Sequence, residues 1–74
     1  MSLKSIAPNQ TELTLSNGTV IFYSYNTPVA CFISGQGYFK TEKKHSVTTS
    51  KHINAWIGRK DVPTKEQSFF DSLA

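Results

Sequence analysis

The alternation of apolar and polar positions divides the chain into a strand-forming first part and a helix-forming second part. From Thr11 the residues run Thr-Glu-Leu-Thr-Leu-Ser, the period-two pattern of a strand whose successive side chains face opposite sides of a sheet. Asn17-Gly18 follows, two residues that both tolerate positive φ and so favour a two-residue hairpin loop, and residues 19–25 resume as a second strand. A type I′ loop there sets Ser16 opposite Thr19, Leu15 opposite Val20, Leu13 opposite Phe22 and Glu12 opposite Tyr23. In that register Leu13, Leu15, Val20 and Phe22 make the core face, while Ile21, Tyr23 and Tyr25 project from the other beside Glu12 and Thr14.

Asn26-Thr27-Pro28 breaks the run, because Pro28 has no N–H to give a ladder and holds Thr27 extended. Residues 29–34 are β-rich and apolar, Gly35-Gln36-Gly37 supplies a tight connection, and the chain from Tyr38 to about Lys43 is a further strand that becomes charged at its end. A three-residue loop over Gly35-Gln36-Gly37 groups Val29, Cys31, Ile33 and Phe39 on one face and leaves Phe32, Tyr38 and Lys40 on the other. A two-residue loop changes that pairing, and glycine at both ends permits either.

At residue 46 the period changes. Thr48, Thr49 or Ser50 can cap a first helical turn, Ile53, Trp56 and Ile57 fall at i, i+3 and i+4, and Gly58 can take the left-handed conformation that ends a helix. This predicts the main helix over residues 48–58, with Trp56 as its core anchor. Thr64-Lys65-Glu66-Gln67 has the form of a capping box, and Phe69, Phe70 and Leu73 give a short C-terminal helix over residues 64–73 one apolar face. Residues 1–10 contain Pro8 and Asn9 and show no sustained period, so they are expected to be an N-terminal arm. Strands followed by helices predict an α+β domain: an antiparallel β-meander of three to four strands over residues 11–43, packed against the main helix, with the far face of the sheet open.

With 74 residues the chain makes one domain with one modest core, a size at which self-association adds needed stability. One cysteine, Cys31, excludes an internal disulfide and a cysteine-rich zinc site. No segment approaches the roughly 20 apolar residues that cross a bilayer, and the N-terminus has no apolar leader, so a soluble cytoplasmic protein is expected.

Thr27-Pro28-Val29-Ala30 and the run Ser46-Val47-Thr48-Thr49-Ser50-Lys51-His52-Ile53-Asn54-Ala55-Trp56 resemble a family of small proteins of unknown function found in bacteriophages and prokaryotic genomes. The likeness extends from Gly18 onward, with Phe22-Tyr23-Ser24-Tyr25, the glycine turn before Tyr38 and the Phe-containing tail in the corresponding places. The resemblance implies a phage or mobile-element origin, and host-cell cytoplasm as the place of work. It transfers no activity, cofactor or ligand.

His45 and His52, the two imidazoles, have neither a cysteine pair nor a histidine at i+4, and a metal site needs three or four convergent ligands, so no metal is expected. Ser46, Ser50, Cys31 and Asp61 supply parts of a nucleophilic site but no motif, and Gly35-x-Gly37 lacks what a phosphate loop requires, so the chain is expected to be neither an enzyme nor dependent on a cofactor. Charge is more informative. Eight Lys and Arg stand against five Asp and Glu, and seven of those eight cations lie after position 39.

These features point to a non-enzymatic accessory protein that binds nucleic acid. Lys40, Lys43, Lys44, Lys51, Arg59 and Lys60 would meet phosphates, Thr48, Thr49, Ser50 and Asn54 at the helix start would add polar contacts, and Tyr23, Tyr25 and Tyr38 would stack on bases. The alternative is a protein-interaction module using the same aromatic face: a phage factor that inhibits or redirects a host protein, or a homo-oligomeric structural protein.

Overall fold

The computed structural model describes residues 2–58 and 61–73. Six strands form one sheet in the order of the sequence: β1 (Ser2–Ala7), β2 (Gln10–Thr14), β3 (Val20–Ser24), β4 (Thr27–Ile33), β5 (Gly37–Thr41) and β6 (Thr64–Lys65). Helix α1 (Val47–Ile57) crosses one face, and the five-residue α2 (Gln67–Asp71) lies on the other. The α+β class, the largely antiparallel sheet, the main helix and the short last helix are as the sequence predicts. Within the described residues, no helix is long and apolar enough to cross a membrane.

The sheet is larger than expected at both ends. Residues 2–7 are a paired strand instead of a loose arm: Leu3 faces Leu13 and Lys4 faces Glu12 across an antiparallel ladder, with a register shift between Ser5 and Ala7. Hydrogen bonding to β2 does not need an apolar period, which is why the periodicity of residues 1–10 gave no sign of it. Thr64 is likewise not a helix cap. With Lys65 it forms β6, the one parallel strand among the described residues, held by Lys40 N–H to Pro63 O (3.1 Å) and Glu42 N–H to Lys65 O (2.9 Å).

The first hairpin is shifted by one residue from the expected pairing. Leu13 faces Ile21 and Glu12 faces Phe22. The loop takes three residues, closed by Leu15 N–H to Thr19 O at 2.8 Å, with Gly18 at φ 90° and Asn17 outside the left-handed region. Asn17 spends its side chain on the Thr19 N–H (3.0 Å), so it works as a side-chain brace and not as the first half of a type I′ turn. A one-residue slip exchanges the two faces of a strand. Leu13 therefore leaves the α1 side, and Glu12 joins it. The next reversal occurs at Tyr25 and Asn26, at φ 60° and 108°, one step earlier than Pro28 suggests. Pro28 instead sits at a bulge in β4, where Val29 is the extra residue between the Phe22–Ala30 and Tyr23–Pro28 pairs. The β4–β5 loop is Ser34-Gly35-Gln36, with Ile33 facing Gly37, a shift of two residues that preserves the predicted faces.

The bulge turns Val29 toward α1, and two cores result. Phe22, Val29 and Ala30 pack under Ile53, Ile57 and Val62 on one side. Cys31, Phe39 and Phe70 pack together on the other, flanked by Ile33, Phe69 and Leu73. Helix α1 begins one residue before the expected boundary, because Ser46 is its cap: the Ser46 hydroxyl accepts the Thr49 N–H at 3.1 Å, and Gly58 closes the other end at φ 84°. Trp56 is half-buried and stacks on Phe22 with centroids 5.0 Å apart, meeting Tyr38 edge-on at 5.7 Å. Its indole N–H donates to Glu12 Oε1 at 2.8 Å, a bond that the shifted register makes available.

Candidate functional site

A polar cleft of about 260 Å³ lies where the chain leaves β5 and enters α1. Its walls are Lys40, Lys43, Lys44 and His45 on one side and Thr49, Ser50, Ile53 and Asn54 of the helix on the other, with Thr41 and Glu42 between. Three lysines against one glutamate make the local charge positive, and the concave shape concentrates that field more than a flat surface would.

The connection that carries these lysines is pinned from below. Thr41 is buried, and its hydroxyl donates to Gln67 Oε1 at 2.9 Å while accepting the Lys43 N–H at 3.2 Å. Gln67 Oε1 also meets His45 Nε2 at 2.9 Å. An amide oxygen only accepts, so this contact requires the proton on Nε2 of His45. The Gln67 amide nitrogen donates to Pro28 O at 2.7 Å and to Asp71 Oδ1 at 3.1 Å. One side chain thus ties β4, the exit of β5 and α2 together beneath the cleft, in place of the capping role its sequence position suggests.

The helix wall is fixed in a similar way. Ser24 Oγ lies 3.3 Å from Thr49 Oγ1 and 3.0 Å from His52 Nδ1, and Thr49 Oγ1 accepts from the Ser46 hydroxyl at 3.2 Å. This chain of side-chain bonds seats the first turns of α1 on β3. His52 is accordingly directed to Ser24 and to the Tyr25 ring, 5.9 Å away.

Of the residues that the sequence marks for a site, Lys40, Lys43, Lys44, Thr49, Ser50 and Asn54 come together in the cleft. Thr49 lines it with its hydroxyl already committed to Ser24 and Ser46, so its part is structural. Lys51 is exposed on α1 outside the cleft lining. Arg59 and Lys60 lie outside the described residues. The three tyrosines do not form one platform. Tyr23 lines a shallow apolar groove with Leu3 and Leu13 on the α2 side. Tyr25 sits in the turn, 49% exposed, and Tyr38 lies on the α1 side between Phe32 and Trp56. The cause is backbone geometry: Tyr25 occupies a turn position at φ 60°, and Tyr23 and Tyr38 point to opposite faces of the sheet. In place of one open far face, the lysine cleft and a groove walled by Phe32, Tyr38 and Trp56 both lie on the α1 face.

His45 and Glu42 also line the cleft, and the sequence pattern does not mark them for it. The adjacency of His45 to Lys43-Lys44, immediately before a helix cap, was the available signal.

No curated protein and no solved structure matches the chain. The chain belongs to the family of unknown function DUF8033, which matches it over residues 1–72.

Proposed function

We propose that this protein is a small non-enzymatic accessory protein that binds nucleic acid through its phosphates at the cleft between β5 and α1. The observation that carries the reading is the gathering of Lys40, Lys43 and Lys44 around one concave polar site. Lysine ammonium groups held near a phosphate chain release condensed counterions, which gives affinity without sequence preference. The pinned connection beneath the cleft holds the backbone that bears these groups, so ordering on binding falls mainly on the lysine side chains. The resemblance of the Thr27–Ala30 and Ser46–Trp56 runs to small proteins of bacteriophages and prokaryotic genomes supports a phage or mobile-element setting, with the host cytoplasm as its location.

Titration of labelled single- and double-stranded oligonucleotides at low and moderate salt tests this. Affinity should fall steeply with salt, and Lys43→Ala and Lys44→Ala should each weaken binding and lower the slope of log K against log salt by about one. No binding at low salt overturns the reading.

A protein-interaction role is the second reading, favoured by the exposed edge strand β1, whose Leu3 is 71% exposed beside Leu13 and Tyr23. An edge strand with an apolar side chain in solvent is a template for pairing with a host protein or a second copy. Sedimentation over a range of concentrations tests the self-associating form, and a monomer throughout removes it.

A further inference from the structure

The aromatic groove beside the cleft extends the nucleic-acid reading to a kind of strand. It holds about 360 Å³ and is walled by Phe32, Tyr38 and Trp56, with Glu12 and Lys4 at its rim. The rings are inclined, Phe32 to Tyr38 at 58° and Tyr38 to Trp56 at 87°, so they line the groove instead of closing into a stacked column. Tyr38 and Lys40 are two residues apart on the same face of β5, a separation of about 7 Å along a strand. Lys40 lines the cleft and Tyr38 lines the groove. The two concavities therefore follow one another along β5, the first cationic and the second aromatic.

That succession matches the chemistry of an unpaired strand, whose backbone follows positive charge while its bases turn outward to stack on aromatic side chains. A duplex offers phosphates but keeps its bases stacked and paired, so the groove has no use for it. The Trp56–Glu12 hydrogen bond fixes the carboxylate at the rim of the groove. Lys4, paired across the ladder from Glu12, offsets its charge, while the carboxylate accepts from an exocyclic amino group, as on cytosine.

We propose that the groove takes one unstacked base of a single-stranded nucleic acid whose phosphates lie in the neighbouring cleft, and that Glu12 favours a base carrying an amino group. This rests on the nucleic-acid reading of the cleft. Trp56 is the single tryptophan of the chain, so its fluorescence reports the groove directly.

The test is a titration at fixed low salt with an oligocytidine strand, an oligothymidine strand, an abasic strand of the same length and a duplex. Oligocytidine should quench Trp56 and bind about 5- to 150-fold more tightly than the abasic strand, the range that loss of one stacked base gives. The duplex should bind without quenching. Phe32→Leu and Tyr38→Leu, each checked for a native melting transition, should bring oligocytidine down toward the abasic affinity and leave the salt dependence intact. Equal affinity of the oligocytidine and abasic strands with Trp56 unquenched overturns the base site, while continued weakening by Lys43→Ala would leave the phosphate reading standing. Equal affinity for oligocytidine and oligothymidine overturns the role given to Glu12. If none of the four binds, both readings fall.

Discussion

The two faces of the sheet carry helices of different length, and the difference decides where each face is open. On one side the eleven-residue α1 lies over Phe22, Val29 and Ala30, and what it leaves uncovered is bordered by lysines, Glu12 and aromatic rings. On the other, the five-residue α2 covers Cys31 and Phe39 but does not reach the β1–β2 side, where Leu3, Leu13 and Tyr23 border a shallow apolar groove. The α1 face is thus open at polar and aromatic concavities, and the α2 face is open at an apolar margin. The first suits a charged, ring-bearing ligand and the second suits protein contact, so the two readings of function belong to different faces and can be separated.

The largest test of this contrast is to empty each core in turn. Phe22 and Phe70 are both fully buried, one on each face. Phe70→Ala and Phe22→Ala should each cost about 3–5 kcal/mol in denaturant melts. Only Phe22→Ala should change Trp56 fluorescence in the folded state, because Phe22 is the ring stacked on the indole. An equal change from both would mean that the two cores act as one.

The α2-side core also contains an ionisable group. Burial pushes the Cys31 thiol up to about 11 from its ordinary 9.0. The folded thiol keeps its proton to higher pH than the unfolded one. Its contribution to stability is therefore whole below pH 9 and is lost as the pH rises through about 11, an effect of roughly 2–3 kcal/mol. Cys31→Ala should be less stable at neutral pH yet lose this alkaline decline, as read from urea midpoints at pH 8, 9 and 10. In the native protein at pH 8 the thiol should react with a disulfide reagent only after denaturant is added.

Smaller effects come from the cap of α1 and from the apolar margin. Gly58→Ala places a side chain at φ 84° and should cost about 1–2 kcal/mol in thermal melts, loosening the end of the helix next to Trp56. Leu3→Ser should alter stability by no more than about 0.5 kcal/mol, since Leu3 is 71% exposed, and should leave nucleic-acid affinity unchanged. If it abolishes self-association seen by sedimentation, the apolar margin is an interface and the division between the faces is sharpened.

Much of the fold was legible because it depends on local rules. The period from Ile53 to Ile57, Gly58 at the helix end, the alternation along β2 and the glycine-bearing loop before Tyr38 each express a preference of backbone or side chain that neighbouring residues do not reverse. The Lys40–Lys44 segment was legible as charge. Its partner wall on α1 is legible in Thr49, Ser50 and Asn54 at the helix start, whereas nothing local places His45 and Glu42 in the same cleft.

What the sequence determined by itself was the set of elements, their order and the apolar stripe of α1, because strand and helix periods are written in residues a few positions apart. What tertiary structure decided was register and company. Asn17 chose the Thr19 N–H over a tight turn, and that single residue of slip moved Glu12 beneath Trp56 and Leu13 to the opposite face. The β4 bulge turned Val29 over, and pairing with β5 made a strand of Thr64-Lys65 and freed Gln67 to bind Pro28, Thr41 and His45. In a sheet each of these choices is an exchange between hydrogen-bonding patterns of similar local energy, so the contacts made by distant residues settle it.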